Sequence, residues 1–123
     1  MNERNADTIS IECCHPDDSG YYNEATYESL VLLTAWLLEQ YGLSYTDVIR
    51  HFDANGKICP LAFVTDPDYY YQFKTDVANA MGYDVTSEEV SEICNDTFLT
   101  LEEVKAWKWY QRFPQWLMRQ FAP

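Results

Sequence analysis

Residues 24–41 govern what this chain can fold into. Tyr27, Leu30, Val31, Thr34, Leu37, Leu38 and Tyr41 recur at helical spacing on one face, and Gly42 follows as a stop. A helix with an apolar face needs a second layer to bury it. Thr8-Ile9-Ser10-Ile11-Glu12-Cys13-Cys14 offers one, because it alternates and is β-branched. As a strand it would turn Ile9, Ile11 and Cys13 to one side and Ser10, Glu12 and Cys14 to the other. Pro16 to Gly20 breaks it as a loop, and Val48-Ile49-Arg50-His51 reads as a second short strand after a turn. The expectation is an α/β domain.

The rest of the chain reads as helices and loops. Asp53 to Lys57 is a loop closed by Cys59-Pro60. Asp66 caps a helix with Pro67 in its first turn, running to about Met81, and Gly82 ends it. Thr86-Ser87-Glu88-Glu89 and Thr100-Leu101-Glu102-Glu103 each carry the T-x-x-E capping box. The last helix is rich in aromatics, among them Trp107, Trp109, Phe113 and Trp116. Lys105, Lys108, Arg112 and Arg119 form a basic stripe along it, and Pro114 kinks or restarts it. The chain divides near residues 82–86 into a body, 1–82, and a helical C-terminal extension, 83–123, packing on it.

Charge narrows the partners. All twenty acids lie in residues 1–103 with four of the eight bases, a balance of −16, and the remaining tail carries +4. An acidic body lacks the basic footprint that direct nucleic-acid binding requires. It suits a solvated surface or a basic protein partner. No apolar run reaches the ~20 residues of a transmembrane helix. Residues 1–5 lack the features of a signal peptide, so the chain is expected to be cytoplasmic as synthesised. The four cysteines are expected as reduced thiols, Cys59 apart.

Two histidines are present. His15 follows the 8–14 segment beside Pro16, as a loop residue. His51 precedes Cys59 by eight positions, with Lys57 between them. Imidazole and thiolate together suit zinc, but one of each is half a tetrahedral site. On spacing alone a core cysteine and a surface histidine are the better description.

The surrounding pattern adds to this. Residues 5–12, Asn-Ala-Asp-Thr-Ile-Ser-Ile-Glu, resemble the strand motif N-x-x-S/T-I-G/S-I-E of the zinc-dependent N-acetylmuramoyl-L-alanine amidases. That family includes phage amidase-type lysozymes and is related to the peptidoglycan recognition proteins. Residues 50–60, Arg-His-Phe-Asp-Ala-Asn-Gly-Lys-Ile-Cys-Pro, are similar to its R-H-x-D-x-x-G-K-x-C-P block, and residues 26–42 to the helix between. The resemblance covers residue 2 to about 81. It implies a mixed sheet flanked by helices. It implies His51 and Cys59 as the second and third zinc ligands, Lys57 beside the oxyanion, and Glu12 as general base. The implied reaction is hydrolysis of the amide joining N-acetylmuramic acid to L-alanine in peptidoglycan.

One departure stands out. In the family the first zinc ligand is a histidine upstream of the strand motif, and this sequence begins at that motif. The reading is therefore a truncated amidase-like sheet with an incomplete zinc site and an open edge. The C-terminal aromatic segment covers that gap, or two copies associate and pool His51 and Cys59 in a shared structural site. Three functions follow: an amidase or amidase fragment, a non-catalytic acidic inhibitor of a basic partner, or a module that binds a peptidoglycan fragment without cutting it.

Overall fold

The structure, a computed structural model, describes the backbone of residues 7–97 and the side chains of residues 7–94. Five α-helices follow in order: α1 Glu24–Tyr41, α2 His51–Asn55, α3 Leu61–Thr65, α4 Pro67–Ala80 and α5 Ser87–Thr97, with a short 3-10 turn at Tyr45–Asp47.

Local chemistry sets the helix ends. The Asn23 side chain accepts from the Thr26 amide at 2.8 Å, which satisfies one free donor of the first turn of α1. Gly42 closes that helix in the left-handed region, at φ 65°, and the Leu43 amide returns to the Leu38 carbonyl at 2.8 Å. Asp66 caps α4, with Pro67 at its start. Thr86 and Glu89 exchange the bonds of a capping box ahead of α5. These three boundaries match the sequence expectations. The second capping box and the aromatic basic stripe lie outside the described residues.

The core lies between α1, α3 and α4. Leu30, Val31, Ala35 and Leu38 of α1 meet Phe63 of α3 and Tyr70, Phe73 and Val77 of α4. Phe63 stacks on Phe73 at 5.0 Å and takes Tyr22 edge-on at 5.5 Å. On the far side of α4, α5 packs through Val90 and Cys94, both buried.

The expected α/β sheet is overturned. The described residues are helical and include no strand. Residues 8–14 run without regular structure, and no backbone hydrogen bond joins residues 9–14 to another described segment. A strand exists only through a ladder with a neighbour. Alternation supplies the side-chain pattern and not the partner. The alternation is not expressed in burial either: Cys13 is half-buried, but Ile9 and Ile11 are exposed like Ser10, Glu12 and Cys14. The second expected strand is also absent. Residues 48–50 are irregular, and His51 opens α2, which takes in Asp53–Asn55 of the expected loop. The layer that buries α1 is α4, and Tyr41 at the end of the expected buried face is exposed.

Candidate amide-hydrolase loop

The site is built on residues 50–60. Arg50 and Asp53 form its foundation. Asp53 Oδ1 accepts from Arg50 Nη2 at 2.8 Å, and Oδ2 accepts from Arg50 Nε at 3.0 Å and from its backbone amide at 2.8 Å. Their side chains are only 9% and 2% exposed. Arg50 Nη1 donates to the Phe63 carbonyl at 2.9 Å, and the guanidinium lies 4.5 Å from the Tyr70 ring centre. Burial works against the Arg50 charge, but the hydrogen bonds and charge of Asp53 outweigh it, so the Arg50 pKa is raised. The sequence contained this pair within the family-like block without marking it as a clamp. The only available signal was the i, i+3 spacing of opposite charges.

The clamp fixes the start of α2, and the chain then folds back on it. Gly56 turns at φ 76° and donates to the Phe52 carbonyl at 2.7 Å. Asn55 Oδ1 accepts from the Lys57 amide at 3.0 Å. The Phe52 amide donates to the Cys59 carbonyl at 3.0 Å, which closes the loop. Cys59–Pro60 is a cis peptide. His51, Lys57 and Cys59 thus belong to one hydrogen-bonded loop, tied beside the first turn of α2.

Their surroundings differ. His51 is exposed, and its Nε2 lies 3.0 Å from Asn55 Nδ2, so it accepts there when that nitrogen is unprotonated. Lys57 is exposed and Cys59 half-buried, a free thiol. Glu12 sits elsewhere, exposed on the 8–14 segment and bordering a shallow depression with Asn23 and Ser29 of α1. His15 Nδ1 is engaged by the Asp17 carbonyl at 2.6 Å.

The donor set tests the expected zinc. Imidazole and thiolate are suitable ligands, but catalytic zinc takes three protein ligands. Among the described residues no three His, Cys, Asp or Glu side chains converge as a metal-holding group. The described residues therefore do not fit the metal by themselves.

A cleft of about 710 Å³ is lined by Ile9 and Ile11 of the 8–14 segment, Leu37 of α1, Ile49, Tyr70 and the clamp residues Arg50 and Asp53. No helix among the described residues is long and apolar enough to cross a membrane.

Comparison with known proteins shows the family. A family model described as N-acetylmuramoyl-L-alanine amidase matches residues 2–62. N-acetylmuramoyl-L-alanine amidase CwlL of Bacillus licheniformis is 33% identical over 87 residues, 71% of this chain and 24% of the relative. A probable N-acetylmuramoyl-L-alanine amidase of the same organism is 32% identical over 78 residues, 63% of this chain and 22% of the relative. The chain thus spans about a quarter of the length of these relatives. No solved structure matches it. The clamped His51–Cys59 loop falls within the matched residues, and the chain belongs to the N-acetylmuramoyl-L-alanine amidase family.

Proposed function

We propose that the chain supplies the His51–Lys57–Cys59 loop of a peptidoglycan amidase centre, which cleaves the amide between N-acetylmuramic acid and L-alanine. The observation that carries this reading is the closed loop itself. The Arg50–Asp53 clamp and the Phe52–Cys59 bond hold an imidazole, an ammonium and a thiol on one short, ordered segment. In this reading His51 and Cys59 would hold zinc only together with a third donor from outside the described residues, and zinc would then polarise the amide carbonyl. The Lys57 ammonium faces the amide oxygen as it becomes negative, a contribution that grows in the transition state. Glu12 takes the proton of the attacking water once the 8–14 segment is brought to the loop.

Digestion of purified peptidoglycan with added zinc tests it. New L-alanine amino termini are expected with the unaltered chain and not with Cys59→Ser. A folded, zinc-loaded chain that releases none refutes hydrolysis.

The −16 balance of residues 1–103 favours a second reading, a non-catalytic protein that binds a basic partner. Such binding weakens steeply with salt. Peptidoglycan cleavage by the unaltered chain excludes it as the sole function.

A further inference from the structure

Residues 7–15 match their own reverse. Turned antiparallel about Ile11, the segment sets Ile9 against Cys13 and Ser10 against Glu12, so apolar meets apolar and polar meets polar. Asp7 then faces His15, and no two acids stand opposite each other. Pro16, which has no amide hydrogen, ends the ladder at that point. Neighbouring registers that keep Ile9 and Ile11 on one side are poorer. Turning about Glu12 puts two carboxylates face to face, and turning about Ser10 sets the Asp7 carboxylate against Cys13.

The structure leaves this segment open. Residues 9–14 make no backbone hydrogen bond to another described segment, and Ile9 and Ile11 are exposed. Ile11 and Cys13 border two hollows on α1. One is the cleft, beside Leu37 and Leu38, and the other is the shallow depression beside Ser29 and Leu33. One extended segment therefore does not cover this surface of α1. A bare backbone edge is a template for another strand, and a two-stranded ribbon becomes stable when it packs against a helix. In the register about Ile11, residues 9, 11 and 13 of both strands share one side of the ribbon, the side that lines the cleft.

We infer that two copies of this chain associate by antiparallel pairing of their 7–15 segments, with Ile11 on the two-fold axis. The contact is isologous, so it closes at two copies. The charge of −12 on each chain opposes it. Salt relieves that opposition, because charges more than about 8 Å apart are largely screened at physiological ionic strength.

Native mass spectrometry of the full chain across a dilution series, with EDTA present, tests the association. A dimer is expected. A chain that stays monomeric throughout would overturn the proposal, and so would a dimer that forms only without EDTA, since that contact would run through a metal. Ile11→Asp places two acids on the axis and is expected to weaken the dimer several-fold, with helix content by circular dichroism unchanged. A folded variant that dimerises undiminished would overturn it. The register is read with Ile9→Cys/Cys14→Ser and oxidised glutathione, which takes up the two electrons and two protons as a disulfide forms. Within one extended segment positions 9 and 13 lie about 13 Å apart, beyond the roughly 7 Å that a disulfide spans. A link from the new thiol to Cys13 of the partner subunit is expected in peptide maps, and its absence would overturn the pairing about Ile11.

Discussion

Two buried cations give the residue scale its clearest tests. Arg50 is matched by Asp53, and removing one partner of a buried pair leaves an uncompensated charge. Asp53→Ala is expected to cost about 3–5 kcal/mol, a large share of the roughly 5–15 kcal/mol available to a domain. Urea unfolding followed by circular dichroism reads this, and a cost under about 1 kcal/mol would show the clamp to be incidental. Lys74 is the second buried cation. It is 1% exposed and donates to the Val48 carbonyl at 3.1 Å, which the Tyr70 hydroxyl also reaches at 3.0 Å. Burial lowers its pKa below the ordinary 10.5. Between the lowered value and 10.5 the unfolded chain binds more protons at this group, so its contribution to stability rises with pH and is complete above 10.5. Burial raises the pKa of Tyr22 to about 12 and of Tyr70 in the same direction, which gives the opposite slope above the ordinary tyrosine value. The difference between wild type and Lys74→Met isolates the lysine. Urea midpoints from pH 8 to 11 are expected to rise for wild type relative to that variant, and parallel curves would contradict the assignment. Spacing and resemblance singled out His51, Lys57 and Cys59, and resemblance Glu12, as candidates. The sequence did not show which nearby residues hold the first three together, because that depends on Phe63 and Tyr70 arriving from later helices.

At the scale of elements, the helix ends were legible because they rest on local chemistry. Asn, Asp, Thr and Gly act within three or four residues of where they stand. Thr86→Ala removes the cap of α5 and is expected to cost about 1 kcal/mol. Faster amide exchange in α5 alone would read it, and unchanged exchange would contradict it. Gly20 is less visible from sequence. It turns at φ 81°, and a Cβ there would lie 2.8 Å from Leu61 Cβ. Gly20→Ala therefore meets both left-handed strain, about 1–2 kcal/mol, and the start of α3. A loss of at least that size in urea unfolding is expected, and no loss would mean the 16–20 loop re-forms freely. The strands were misread for the opposite reason. A strand is made by its neighbour, and no backbone ladder joins residues 9–14 to another described segment.

For the whole molecule, the expected sheet gives way to a helical body in which α4 stands where a sheet was anticipated. Ile9 and Ile11 line the cleft beside α1 but stay largely exposed, at 55% and 37%. Charge and family membership were both readable from residue order, since neither depends on tertiary contact. An incomplete metal centre was already the expectation from residue order, whereas the side chains that converge on His51 and Cys59 depend on tertiary contact. The central claim is that His51 and Cys59 act as donors in one centre. Native mass spectrometry of the zinc-supplemented chain, beside His51→Ala and Cys59→Ser, tests it most directly. The account predicts zinc retained by the unaltered chain and lost from both folded variants. A chain that retains no zinc, or variants that retain it undiminished, would contradict it.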